Sequence, residues 1–405
     1  MKKKLLNFIF KIYNLLIPKI ENAVFVYSDC SEAKNCTDIL NYTVSNAFCV
    51  ARELLNRKFE KRLIIYILSE MPWRIPEYTE ISQKALQNNI ELRFIPIDST
   101  KSSLAKRLKT YFYLFKTNLW LVSTGDCYVY GKLKSQKVFN MNYFISCKND
   151  FVAGHNYRWQ FLDYMLTTGL LHTTVSAAQL GVKYDACVEL GFPRNDQLFK
   201  SKNKEAIFDW LKEELNYTPK KIIVYAPTYR DYEKNSSSPE QRELFGYNAD
   251  WLEKYLKDNE YALICKLHNN ATKEILQYPS GVVKFKYCFD FSFYDLMSIS
   301  DCVITDYSSL GYDFMLLDRP LIYNLYDCEK YAADRGMSYD PYEDFCPGTV
   351  VKTSLELKNA LEELAQGIDS TAEKRHRLLR VFHKNADNKS SVRVADYLCD
   401  EFGLK

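Results

Sequence analysis

Ser300-Asp-Cys-Val-Ile-Thr-Asp-Tyr-Ser-Ser-Leu-Gly-Tyr-Asp-Phe-Met-Leu-Leu-Asp-Arg-Pro320 is the stretch on which the reading of this chain turns. The run Cys302 to Thr305 predicts a buried strand, and it leads directly into Ser308 and Ser309, which open a helix predicted over 309–317. A strand that turns at once into a helix N-terminus aims free backbone N–H groups and the positive end of the helix dipole at one point. Two serine hydroxyls there add donors suited to phosphate oxygens. Serine also caps helices with no ligand involved, so the neighbouring elements must decide whether this turn is an anion site.

Outward from it, short β-branched and aromatic runs alternate with helical patterns, the signature of βα units and parallel sheets. One set predicts strands near 23–28, 63–68, 92–96, 119–123 and 137–144, with helices near 43–57, 80–88 and 102–115. A second predicts strands near 222–226, 261–265, 282–285, 302–305 and 321–325, with helices near 249–258, 271–277, 292–299 and 309–317. Helical patterns at 354–365, 371–385 and 390–402 close the chain. The fold class expected is α/β, with two doubly wound halves. The boundary falls near 183–192, and the polar stretch Tyr232 to Gln241 reads as a surface loop inside the second half.

Composition agrees with a globular protein. Of 405 residues, 47% are hydrophobic and 26% charged, enough apolar side chain for two cores. A net charge of +3, with no basic run interleaved with aromatics, speaks against nucleic acid as a partner. The twelve cysteines form no Cys-x-x-Cys pair and read as reduced structural thiols of a cytoplasmic protein. No ligand spacing among the histidines, and no carboxylate cluster, suggests a metal, and no cofactor is expected.

The first nineteen residues stand apart, with five lysines, no acid, and apolar residues at 5, 8, 9, 12, 15 and 16. On a helix, Lys4, Asn7, Lys11 and Asn14 fall on the opposite stripe. The stretch ends at Pro18, short of the ~20 apolar residues a spanning helix needs, and Lys11 interrupts the apolar centre a signal peptide requires. Residues 1–19 are therefore expected to form an amphipathic helix on an anionic membrane surface, the competing reading being a helix docked on the protein's own surface.

In open α/β sheets ligands gather beyond the carboxyl ends of the strands. Three such loops in the second half carry fitting groups. Tyr225-Ala-Pro-Thr-Tyr-Arg-Asp231 offers Arg230 as a forked donor to phosphate, Cys265-Lys-Leu-His-Asn-Asn270 offers Lys266 and His268, and the third is the turn carrying Ser308 and Ser309. Arg230 could instead pair with a carboxylate, and a lone loop histidine is often no more than a solvated side chain.

Together with Gly191-Phe-Pro-Arg-Asn-Asp196, Asp318-Arg-Pro-Leu-Ile322, Arg335-Gly-Met-Ser-Tyr-Asp340 and Pro347-Gly348, these segments resemble, in order and spacing, the CDP-glycerol glycerophosphotransferases of teichoic acid synthesis. The resemblance runs from about residue 130 to the C-terminus. It implies two Rossmann-like halves of the GT-B type facing across a cleft: an acceptor domain over 20–185, a nucleotide-donor domain over 186–385 and a closing helix over 386–405. It implies transfer of a phospho-polyol from a CDP-activated donor to a hydroxyl of a lipid-linked or polymeric acceptor, with CMP leaving and no metal, at the inner face of the cell membrane. By the same resemblance Arg194, Thr228, Arg230, Asp306, Ser308 and Ser309 line the donor site, which Lys266 joins by its place on a strand-end loop, and His268 matches one of two family histidines assigned to catalysis.

The other family histidine belongs to a Trp-His-Gly-x-x-x-Lys motif. At that place this chain reads Asn142-Tyr-Phe-Ile-Ser-Cys-Lys148, keeping Lys148 but putting Tyr143 where the histidine stands. A phenol with an unperturbed pKa of ~10 is a poor base at neutral pH. His155 is the expected substitute. The departure leaves two other functions open: a GT-B glycosyltransferase using a nucleotide sugar, and a catalytically silent nucleotide-binding subunit of a surface-polymer assembly.

Overall fold

Strands such as Ile222-Ile-Val224 and Val303-Ile304 are apolar on both sides of the pleat, which fits only a sheet covered by helices on both faces. The computed structural model of the protein has two such sheets. It describes residues 2–27, 45–68, 78–95, 104–123, 130–145, 147–149, 162–200, 203–228, 230, 243–267, 278–286 and 290–404.

The first sheet joins β1 (Ala23–Tyr27), β2 (Leu63–Leu68), β3 (Ile90–Ile95), β4 (Leu119–Val122), β5 (Lys137–Asn140), β6 (Tyr164–Thr167) and β7 (Cys187–Glu189) in the order β3-β2-β1-β4-β5-β6-β7. The second joins β8 (Lys221–Tyr225), β9 (Tyr261–Cys265), β10 (Val282–Lys284), β11 (Cys302–Thr305), β12 (Leu321–Asn324) and β13 (Thr349–Val351) in the order β10-β9-β8-β11-β12-β13. Every pairing within the two sheets is parallel. In each, the order reverses beside the sheet's first strand, between β1 and β4 and between β8 and β11.

Most expected strands lie within a residue or two of their predicted places. The run expected over 137–144 stops at Asn140, because Asn142 takes a positive φ of 49° and its side-chain oxygen accepts the Tyr143 N–H at 2.7 Å. β7 pairs with β6, so the first sheet runs to Glu189, within the 183–192 range expected for the boundary, and the crossing is made by the 3₁₀ turn Pro193–Phe199. The helix expected over 271–277 and the loop 232–241 lie outside the described residues.

The last helix, Ser390–Phe402, returns to the first unit. Arg57 meets Asp396 at 2.7 Å, and the Tyr164 hydroxyl donates to Glu401 at 2.9 Å. Asp196 accepts the N–H groups of Ser390 and Ser391 at 2.9 and 2.8 Å, holding this helix to the crossing turn.

The N-terminal helix α1, Lys2–Leu16, docks on the first unit, and the face it uses is not the apolar stripe. Asn14 is fully buried and donates to the Gly131 carbonyl and to Gln136, both at 2.7 Å, while Asn7 accepts the Gly131 N–H at 2.8 Å. Gly131 has φ +79°, and a Cβ there would lie 2.4 Å from the Phe10 main chain, so only glycine permits this approach. Phe10 and Ile17 complete the buried face. Leu5, Phe8, Ile9, Ile12, Leu15 and Leu16 point outward, between 46% and 75% exposed.

At the end of β6, His172 is sealed in the interior with Thr168 and Asn142. Burial, reinforced by His383 and Arg194, pushes its pKa down to about 3. The unfolded chain takes up this proton near pH 6.5 and the folded chain does not, so the associated stability is complete above about pH 6.5 and falls as the pH drops toward 3. His383, also lowered by burial, adds a slope of the same sign. Urea unfolding between pH 6 and 4 is expected to show His172→Gln flattening the pH dependence by about 1.4 kcal/mol per unit.

Candidate active site

The second sheet reverses order between β8 and β11, and the loops leaving those two strands meet there. The Thr305 hydroxyl donates to the Ala226 carbonyl at 2.8 Å, and Asp306 accepts the Thr228 N–H at 2.8 and 3.1 Å and the Tyr307 N–H at 2.6 Å. A third loop enters from the end of β12. Its Asp327 takes Arg230 through Nε at 2.7 Å and Nη2 at 3.1 Å.

Arg230 is the centre of this junction and is wholly buried. Its Nη1 lies 2.9 Å from Asp306 and donates to the Thr228 carbonyl at 2.8 Å. Its guanidinium carbon sits 4.9 and 5.0 Å from the rings of Tyr307 and Tyr331, which stack on each other at 3.8 Å and 9°. Burial alone would lower its pKa, but the two carboxylates outweigh that and drive it upward. The expected forked donor to phosphate is thus spent inside the protein. Asp306, 2% exposed, is saturated in the same way. Both residues shape the site from beneath.

Ser308 and Ser309 are half-buried beside this junction, and Thr228 is buried. Among the described residues the Thr228 hydroxyl is buried without a hydrogen-bond partner, and Ser309 makes no side-chain cap bond although it stands at the N-cap. The Ser308 oxygen accepts the Leu310 N–H at 3.3 Å, which leaves its proton available. The helix they open, Leu310–Phe314, continues as the 3₁₀ turn Met315–Leu317, so the predicted 309–317 element divides in two. Lys266 leaves β9 beside β8, with its ammonium 5.0 Å over the Phe293 ring.

Arg194 lies apart from these groups, in the crossing turn. Its Nη2 meets Asp313 at 2.7 Å, its Nη1 donates to the Tyr143 carbonyl, and its side chain is 10% exposed. It therefore joins the two units instead of presenting its fork to solvent. Tyr143 is 48% exposed, with its ring edge-on to Phe144 at 4.7 Å. His268 and His155 lie outside the described residues. Sequence reasoning missed Asp327 and Asp313, the partners of the two arginines. Asp327 carried a signal, since it closely follows a predicted strand end on the same rim.

Two parallel α/β units, with Thr228 on the loop after β8 and Ser308 and Ser309 on the loop after β11, give the fold class and the place where the second sheet reverses order. The sequence profile of the CDP-Glycerol:Poly(glycerophosphate) glycerophosphotransferases matches residues 135–400, well over half of the chain, and the protein belongs to that family. A teichoic acid glycerol-phosphate transferase of Staphylococcus aureus is 30% identical over 238 residues, covering 58% of this chain and 59% of its own. A teichoic acid poly(ribitol-phosphate) polymerase of Bacillus spizizenii is 30% identical over 230 residues, covering 55% of this chain and 35% of its own. The chain thus spans less than two thirds of the length of these relatives. A solved structure of the wall teichoic acid polymerase TagF shares the fold, with a TM-score of 0.71 at 19% identity over 99% of this chain and 93% of that one.

The arginine clamp separates two roles by measurement. Arg230→Met leaves Asp306 and Asp327 buried without their cation and should cost about 3–5 kcal/mol of stability in urea unfolding. A residue that contacted the ligand directly would lose affinity with stability unchanged.

Proposed function

We propose that the protein transfers a phospho-polyol from a CDP-activated donor to a hydroxyl of a membrane-associated or polymeric acceptor. The acceptor oxygen forms a bond to the phosphorus that carries the polyol, the bond from that phosphorus to the bridging oxygen breaks, and CMP departs. The observation that carries this reading is the partnerless, buried hydroxyl of Thr228 beside Ser308 and Ser309 at the reversal point, in a chain whose family match spans that region. Phosphoryl transfer depends chiefly on positioning and charge stabilisation. Thr228, Ser308, Ser309, the backbone N–H groups of that turn and Lys266 take up the phosphate charge, while Arg230 and Asp306 hold the turn in shape. His268 acts on the departing phosphate or carries a proton, and no metal is invoked. The acceptor lies on the first unit, where Tyr143 stands at the mouth, with His155 as the candidate for the vacated role of base.

The presence of Tyr143 in place of a histidine favours two runner-up functions over others. One is glycosyl transfer from a nucleotide sugar, with the phenol on the sugar, and the other is a silent nucleotide-binding subunit. Turnover separates them. CMP release with CDP-glycerol or CDP-ribitol supports the proposal, release of nucleotide only from a nucleotide sugar supports glycosyl transfer, and binding without turnover supports the silent subunit. With the productive donor, replacing Ser308 and Ser309 together by alanine should weaken donor binding by about 1–3 kcal/mol in a folded protein. Unchanged binding removes the pair from the site.

We also propose that the protein works on the inner face of the cell membrane, as a peripheral protein. No helix among the described residues is long and apolar enough to cross a membrane. Support comes from α1, whose docked face leaves six large apolar side chains outward next to the exposed Lys4 and Lys11. Because the inner face carries Phe10 and Asn14, deleting the helix would damage the body. Phe8→Ser with Ile12→Ser and Leu16→Ser is the cleaner change. Sedimentation with phosphatidylserine vesicles should be lost in that variant and weakened by salt in the parent protein. Equal sedimentation of both forms would end the membrane reading.

A further inference from the structure

Residues 143–145 and 147–149 follow β5, so by chain connectivity they belong to the first unit, yet several of their hydrogen bonds run to the second. At one end the Tyr143 carbonyl accepts from Arg194, whose other arm is held by Asp313 at 2.7 Å. Asp313 lies within Leu310–Phe314, the helix opened by Ser308 and Ser309, and is further fixed by the Tyr294 hydroxyl and the Asn195 amide, both at 2.9 Å. At the other end the Cys147 thiol donates to the Tyr307 carbonyl at 2.7 Å, inside the serine turn itself. The main chain then pairs with 336–338. Ser338 N donates to the Cys147 carbonyl at 3.0 Å, Asn149 N to the Gly336 carbonyl at 3.2 Å, and the Ser338 hydroxyl to the Lys148 carbonyl at 2.8 Å. Lys148 and Met337 form an antiparallel bridge.

On its own side the segment is held first by Asn142. Beyond Asn140 the β5 ladder has ended, and the Tyr143 and Phe144 N–H groups are both satisfied by the Asn142 side chain, at 2.7 and 3.3 Å. Asn142 and Met141 are tied to Asn46, whose amide donates to both carbonyls. The same Asn46 accepts the Arg194 N–H at 3.0 Å, so even this anchor leads back to the crossing turn.

We propose that 143–149 is a wall of the donor site lent by the first unit and pinned to the second by Arg194–Asp313 and Cys147–Tyr307, which places Tyr143 in register with Ser308 and Ser309. Arg194 and Asp313 are then positioning residues, acting on the reaction through the Tyr143 main chain and the serine helix. Their effect on catalysis rests on the transfer reading above, while the pinning itself does not. One consequence is that relative motion of the two units must either carry this wall with the second sheet or break these bonds.

Hydrogen–deuterium exchange tests the pinning without any donor. In Asp313→Asn, and separately in Ser338→Ala with Cys147→Ala, exchange at 141–149 should rise about tenfold or more, while strands 119–122 and 222–225 keep their protection. The second variant leaves every buried charge paired, so it remains informative if the first is too unstable. Unchanged exchange at 141–149 in either folded variant overturns the proposal. The catalytic arm uses CDP-glycerol with Asp313→Asn. The expected result is a kcat at least about tenfold lower with donor Kd held within about threefold. Loss of donor affinity in step with kcat/KM would instead make Arg194 a donor ligand and overturn its positioning role. If the parent protein releases no CMP from CDP-glycerol, the transfer reading fails while the exchange arm still decides the wall.

Discussion

The burial of one guanidinium between two carboxylates governs the shape of the second unit's rim. Arg230 takes its partners from the loops after β11 and β12 and from its own loop after β8, so three strand ends converge on a single side chain. Removing a charge from water is costly, and a buried ion pair rarely adds much net stability over an apolar replacement. Its value here is directional. A guanidinium presents five donors in a fixed plane, and the paired rings of Tyr307 and Tyr331 confine that plane on the other side. A lysine would neutralise the same charges but would not fix the angle between the loops.

The same logic recurs at the seam between the units, where Arg194 is likewise buried and paired with a carboxylate. There too burial alone would lower the pKa, and Asp313 reverses the direction. Both arginines sit in segments that resemble the family's, and both are committed to carboxylates of this chain. On the transfer reading, the phosphate charge falls instead to hydroxyls and backbone N–H groups of the neighbouring turn. This divides the work sensibly, because a guanidinium committed to two carboxylates has little further charge to offer, whereas a partnerless hydroxyl such as that of Thr228 still has its full hydrogen-bonding capacity.

The strand-to-helix turn and the two parallel sheets were legible because long β-branched runs such as Leu63-Ile-Ile-Tyr-Ile-Leu68 have few other uses. The strands that escaped are three or four residues long: Tyr164–Thr167, Cys187–Glu189 and Thr349–Val351, too short for any period to show. Helix α1 teaches a subtler point. A helical period says which residues share a face and not which face meets the protein. The polar Asn7 and Asn14 dock because Gly131 and Gln136 offer matched partners more than a hundred residues away. Arg194 and Arg230 follow the same rule. Arg230's position on a strand-end loop was readable and Arg194 came only from the family resemblance, but the direction of each side chain depended on a carboxylate distant in sequence, Asp327 or Asp313.

Tyr143 can be weighed in this light. The described histidines offer no substitute base, since His172 is held neutral and sealed, His383 is buried against the Tyr312 carbonyl at 2.8 Å, and His376 pairs with Asp318 on the surface. A phenol with an ordinary pKa of ~10 donates a hydrogen bond at neutral pH and does not accept a proton. Transfer through a loose transition state asks less of a base than of geometry, because the attacking hydroxyl need lose its proton only late. Under the transfer reading, a tyrosine whose main chain is locked to the donor helix can orient an acceptor hydroxyl without ionising. The loss of the family histidine then shifts the burden from proton abstraction to placement, and placement is what the bonds of Arg194, Asp313 and Cys147 supply.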